Sequence, residues 1–145
     1  MQIPHDSVVL VADGAKMLFF RNQGDDQFLK LVVEEADQQR DEPDRDIKTD
    51  AAGRMPRTTG GNAAVDEADF HRQAEVRFAR EAAEMLNGRA LAGNFDSLVV
   101  VAPPRTLGEL RKHYHKETEK RLMGELAKDL ANQPVDRIEA ALAGA

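Results

Sequence analysis

The chain contains no cysteine and no tryptophan, and aromatics make up only 5% of its 145 residues. Without cysteine there is no disulfide framework, no thiolate metal site and no cysteine nucleophile. With so few aromatics the core must rest on Val, Leu, Ile, Ala, Met and six Phe. A net charge of −6 works against binding of nucleic acid or an anionic membrane by the chain as a whole. Such a contact needs a local basic face. No apolar run approaches the roughly 20 residues that cross a bilayer. The opening "MQIPHDSVVLVADG" has no basic region ahead of its short apolar run and does not read as a signal peptide. The expectation is a soluble cytoplasmic protein that makes no membrane contact, and the length suits one domain spanning residues 1–145.

Familiar catalytic signatures are missing as well. There is no HExxH pair, no Gly-x-Ser-x-Gly elbow, no P-loop and no dinucleotide fingerprint. The four histidines, His5, His71, His113 and His115, have no metal-ligand spacing. Neither a metal nor a cofactor is expected. Asp13 and Asp96 are the only strand-end acids that invite a two-metal reading. Asp13 follows one apolar run and Asp96 precedes another, so parallel strands would place them at opposite edges of a sheet.

What is present reads as alternating strands and helices. "SVVLVA" (7–12) is continuously apolar and suits a strand buried on both faces. Asp13-Gly14 then signals a hairpin in which Gly supplies a positive φ, followed by "AKMLFFRN" (15–22). A turn at 22–26 leads to a third strand, 27–35. From about 36 to 64 large apolar residues almost vanish; residues 34–50 hold eight acids against Arg40, Arg45 and Lys48. This stretch is expected to be a long mobile loop. A helix is expected from an Asp66 N-cap to a stop at Asn87-Gly88, with Phe70, Ala74, Phe78, Ala82 and Met85 on one stripe. "LVVVA" (98–102) is the clearest buried strand, closed by Pro103 and Pro104. Thr106 and Glu109 have capping-box spacing, which starts a short helix at about Leu107. Residues 116–133 fit either a helix or a strand, and a final helix over 134–143 turns Val135, Ile138, Ala141 and Leu142 inward. The pattern predicts an α/β fold, a mixed sheet flanked by helices.

Two segments are candidates for function. "RTTGGN" (57–62) offers Gly60 and Gly61, whose backbone can approach a ligand, the Asn62 amide, and Arg57 upstream. "RTLGELRKHYHKETEKR" (105–121) is a local cationic patch in an acidic chain. Within it Arg105, Arg111, Lys112 and Lys116 are the candidate contacts to phosphates or to an acidic partner. The bland readings are a flexible linker and a solvated charged face. No catalytic residue is identified; a Gly-Gly-amide loop could at most position a water.

"VVLVADGAKMLFFRN", "EADFHRQAEVRFAREAAEMLNG", "FDSLVVVAPPRTLGELRKH" and "GELAKDLANQPVDRIEAAL" together cover most of the chain. In order and spacing they resemble the bacterial host attachment proteins, described as required for attachment to host cells. That family is similar in turn to the middle domain of archaeal and eukaryotic class I release factors. The resemblance implies a single, ribonuclease-H-like domain with a five-stranded mixed sheet, in which 118–128 is the fifth strand. In those factors a loop after the third strand carries Gly-Gly-Gln ahead of a long helix. Gly60 and Gly61 match the two glycines, and Asn62 stands where Gln is expected, one methylene shorter. The resemblance implies a module, non-catalytic or weakly catalytic, that engages RNA, the ribosome or tRNA. Two alternatives stay open: a protein-interaction factor supporting attachment without nucleic acid, and a peptidyl-tRNA or ester hydrolase.

Overall fold

A computed structural model describes residues 1–39 and 60–145, and the side chains of 1–39 and 67–145. The chain runs through β1 (Val8–Ala12), β2 (Lys16–Asn22) and β3 (Leu31–Gln38), then α1 (Gly60–Leu91), β4 (Leu98–Ala102), α2 (Pro104–Arg111), α3 (Lys116–Arg121), β5 (Leu122–Ala127) and α4 (Val135–Ala143). The strands form one five-stranded mixed sheet in the order β3-β2-β1-β4-β5. β1 pairs antiparallel with β2 and parallel with β4, β3 is antiparallel to β2, and β5 is parallel to β4. The expected single α/β domain with flanking helices is what the described residues form.

β1 and β4 are apolar throughout because they lie side by side at the centre with both faces covered; all five residues of each are buried. Their side chains alternate between two cores. On one face Val8, Leu10, Phe19, Leu98 and Val100 meet Phe78, Ala82 and Leu86 of α1 and Leu107 and Leu110 of α2. On the other, Val9, Val11, Phe20, Val99 and Val101 meet Ile138 and Leu142 of α4. Val135 of α4 is 37% exposed, against the expectation that it turns inward.

Several boundaries differ from the sequence reading for identifiable reasons. The β1–β2 turn holds no positive φ at Gly14. Instead the Asp13 carboxylate accepts the N–H groups of Ala15 and Lys16 at 2.8 and 2.7 Å, so a side chain supplies the turn. β3 begins at Leu31 rather than 27. The fully buried Asn22 accepts from the N–H groups of Gly24 and Lys30, and Asp25 accepts from those of Gln27 and Phe28, which holds 23–30 as a loop.

Helix α1 begins at Gly60, not after Asp66, so residues 60–66 extend it by nearly two turns. Its end is three residues beyond Gly88. Gly93 takes φ +70°, its N–H donates to the Ala90 carbonyl, and the Asn94 N–H donates to the Arg89 carbonyl. That is the Schellman arrangement, so Gly93 is the stop and Gly88 is interior. α2 starts at Pro104 with Pro103 at the N-cap and no side-chain cap, because a proline ring at the first position is already set for the helix. The Thr106–Glu109 capping box is not formed.

Residues 118–128 split between α3 and β5. A bulge between Leu98 and Val99 in the β4–β5 pairing puts Leu122 against the first core and Leu126 against the second. Neither a helical nor a simple alternating period fits such a segment. The expected loop over 36–64 is bounded more tightly: 36–38 belong to β3 and 60–64 to α1. The expected mobility falls on residues 40–59, outside the described residues.

Candidate functional site

Gly60, Gly61 and Asn62 form the first turn of α1 rather than a loop. Glycine costs backbone entropy within a helix, and the cost is least at an end, where fewer intrahelical bonds fix the chain. Arg57 lies outside the described residues. Among the described side chains of α1, full burial begins at Ala74, 6% exposed; Phe70 before it is half-buried, and Glu67, Ala68, Asp69, His71, Arg72 and Gln73 are exposed. Glu75, beside Gly14, lies fifteen residues after Gly60. At 1.5 Å per residue the glycine pair sits about 22 Å along the helix axis from that contact. From Glu67 to Gln73 α1 is therefore a largely exposed arm, and from Ala74 on it is a core helix.

The cationic segment packs elsewhere. Asn87, near the other end of α1, donates to the His113 carbonyl at 2.9 Å and accepts from the His115 N–H at 2.8 Å and the Thr118 hydroxyl at 2.6 Å. These bonds tie the α2–α3 connection to the far end of the long helix. Arg105 lines a cleft together with Gly14 and Glu75. The two candidate segments are not brought together.

Most of the positive charge in 105–121 is already paired. Arg111 meets Glu125 of β5 at 2.7 Å, Lys112 meets Glu109 at 3.0 Å, Lys120 meets Glu117 at 3.2 Å and Arg121 meets Glu117 at 2.8 Å. The hydrogen bond from Arg121, aided by Lys120, holds the Glu117 carboxyl below its ordinary range. Hydrogen bonding to Glu125 raises the Arg111 guanidinium. Such exposed pairs add little stability, but they cancel the local field that would attract phosphates. Arg105 and Lys116 have no ion pair among the described residues.

Asp13 and Asp96 stand at opposite ends of parallel neighbours, as the sequence predicts; Val8 pairs with Leu98 and Val11 with Val101. No cluster of three or more His, Asp or Glu that could hold a metal exists among the described residues. No helix among them is long and apolar enough to cross a membrane.

Sequence reasoning missed two groups. Asn87 reads as a helix stop but acts as a clamp. Arg21, 11% exposed, donates to Glu34, to Asn94 and to the Asp6 carbonyl, while Arg89 bridges Glu34 and Glu35 and lies 4.6 Å over the Phe19 ring. That network closes one face of the β2–β3 ribbon, and its members are too far apart in sequence to signal one another.

These elements define a class: an α/β domain in which a mixed sheet carries a projecting helix opened by Gly-Gly-Asn. The chain belongs to bacterial archaeo-eukaryotic release factor family 12, which it matches over residues 6–142. No curated protein matches it.

Proposed function

We propose that the chain is a release-factor-like module, non-catalytic or weakly catalytic, whose projecting arm presents Gly60, Gly61 and Asn62 to RNA or the translation apparatus in the cytoplasm. One observation carries this reading. The glycine pair opens the long helix that follows β3, which is the slot in which release factors keep Gly-Gly-Gln. Membership of the release factor family supports it. The strand order β3-β2-β1-β4-β5, with β2 antiparallel to the other four, supports a ribonuclease-H-like fold. Asn62 is one methylene short of Gln, which argues for contact without efficient ester hydrolysis. Arg57 is a further candidate contact on the approach to the arm, and Arg105 and Lys116 are the cations left for phosphate contacts.

Co-sedimentation with ribosomes and retention of tRNA, both at low salt, test the proposal. Binding that weakens as salt rises is expected. No binding at low salt overturns it. Peptidyl-tRNA turnover abolished by Asn62→Ala would instead establish the hydrolase alternative.

A second reading has its own observation. Phe28 is 75% exposed, and Val32 and Val33 are 42% and 48% exposed on the edge strand β3. Apolar side chains on an edge fit a protein partner. In that case the module supports host attachment through a protein contact, and it would be recovered with the cell envelope rather than with ribosomes.

A further inference from the structure

A cleft of about 330 Å³ opens at the carboxyl ends of the parallel strands, walled by Asp13, Gly14, Glu75, Arg105, Thr106 and Asp129. Its position has a topological meaning. From β1 the chain turns to β2 on one side, whereas from β4 it crosses to β5 on the other. In open α/β sheets the crevice outside the carboxyl ends at such a divide is where ligands bind. The volume lies within the range of small-molecule sites.

The wall is of mixed sign. Asp13 Oδ1 is used by the turn, accepting from Ala15 and Lys16. Its other oxygen, and the charged ends of Glu75, Arg105 and Asp129, have no hydrogen-bond or ion-pair partner among the described residues. Thr106 is 9% exposed and lines the cleft, and its hydroxyl likewise has no partner among them. Its methyl side is covered while the hydroxyl stays open to the cleft, free to bond a ligand. The N–H groups of Arg105 and Thr106 belong to the first turn of α2 and lack intrahelical acceptors; the first donor used is that of Leu107, to the Pro103 carbonyl. Donors therefore converge on the α2 side and carboxylates on the side of the turn, α1 and the segment after β5.

The geometry points to a binding site for a small zwitterion, an α-amino acid, between the end of β1 and the start of α2. The ammonium faces the acidic side of the wall, along which Asp13, Glu75 and Asp129 stand. The carboxylate is held by the Arg105 guanidinium, the Thr106 hydroxyl and the first-turn N–H groups of α2. A simple anion meets three carboxylates here, and a simple cation leaves Arg105 and Thr106 unpaired, so a ligand carrying both charges suits the wall better than either. A divalent metal is not suited, because the acids do not form a ligating cluster. The site lies away from Gly60 to Asn62 and shares only Arg105 with the phosphate contacts proposed above, so amino-acid binding can be tested without RNA or ribosomes.

The test is an NMR titration of the full chain, following amide cross-peaks, with L-alanine and L-lysine. Sodium acetate, methylammonium chloride, N-acetyl-L-alanine and L-alaninamide serve as single-charge controls. Saturable shifts confined to Gly14, Ala15, Arg105 and Thr106 with either amino acid are expected, with each control weaker by about tenfold or more, the worth of one charged hydrogen bond. Arg105→Gln should weaken amino-acid binding by about tenfold while leaving binding of L-alaninamide unchanged. Arg105 is exposed, so that variant keeps the fold, and its melting temperature verifies this. No shift with either amino acid overturns the site. Equal response to acetate or to methylammonium alone also overturns it, as a plain anion or cation site.

Discussion

Glu75 lies against Gly14 so closely that a Cβ built at position 14 would come within 2.7 Å of its Cγ and 2.9 Å of a carboxylate oxygen. α1 thus crosses the β1–β2 turn as near as a residue without a side chain permits. This contact marks where the helix leaves the sheet and becomes an arm. The glycine is needed for approach and not for conformation, since its φ lies outside the left-handed region.

Gly14→Ala and Gly14→Val should separate because of that contact. The Glu75 side chain is exposed and flexible, so alanine pushes it aside and should cost less than about 1 kcal/mol. Valine is branched and must shift the helix, at about 1–3 kcal/mol. Urea unfolding of both variants checks the order. Equal, large losses would mean that the turn itself rejects a side chain.

The two halves of α1 should respond differently to proline. Ala68 is exposed on the arm, and Ala79 is 3% exposed in the core. Proline removes a helical hydrogen bond and clashes with the preceding turn, at about 3 kcal/mol or more in a packed helix. Ala68→Pro should lower the helical circular dichroism yet leave the urea midpoint nearly unchanged. Ala79→Pro should unfold the domain. A large loss of stability from Ala68→Pro would show that the arm is docked.

Phe78 is 4% exposed and packs between the sheet and α2. Phe78→Ala should cost about 3–5 kcal/mol by the cavity it leaves. Chemical denaturation gives the value directly, and a change below 1 kcal/mol would mean that the core rearranges around the site.

How much of this was legible in the sequence follows from which interactions are local. β1 and β4 read clearly because burial on both faces leaves a continuous apolar run. The stripe of Ala74, Phe78 and Ala82 read because a helix face has its own period. The ends of elements did not read so well. The Asn22 side chain holds β3 back to Leu31 through hydrogen bonds to Gly24 and Lys30. Gly88 and Gly93 look alike in the sequence, and only the chain's exit angle makes Gly93 the cap. The bulge opposite Leu98 scrambles the period of Leu122 and Leu126. The candidate site was half legible. Gly60, Gly61, Asn62 and the cations were visible as residue types, but their separation was not. Neither was the pairing of Arg111 with Glu125, which depends on β5 lying beside β4. Glu75 and Asp129 were invisible as cleft residues, since only the fold places them beside Asp13 and Arg105.

Acid should weaken the domain in part through Glu34. Hydrogen bonds from Arg21, followed by those from Arg89, hold this carboxyl below its ordinary range, against a partial burial that works the other way. A depressed carboxyl contributes stability above its unfolded pKa and loses it as pH falls through the folded pKa. The loss therefore begins near the ordinary carboxylate range and deepens below it. Glu34→Gln should be less stable than the parent at neutral pH, and the gap should close as pH falls toward 3. Urea midpoints across that range check the sign, and a gap that widens in acid would place the charge cost elsewhere.

Asn87 should matter more than a half-buried polar residue usually does. Its amide takes three bonds, from His115 and Thr118 and to His113, and Thr118 is fully buried. Asn87→Ala leaves the His113 carbonyl, the His115 N–H and the Thr118 hydroxyl unpaired at once, and each unpaired buried group costs about 1–3 kcal/mol. Water can reach the exposed His115, so a total near the lower end, about 2–3 kcal/mol, is expected. Asn87→Asp keeps the acceptor for His115 and Thr118 and loses only the donor to His113, so it should be milder. The double variant Asn87→Ala, Thr118→Val removes the orphaned hydroxyl and should recover part of the loss. If Asn87→Ala proves neutral by urea unfolding, the α2–α3 connection is held by its helix contacts and not by this clamp.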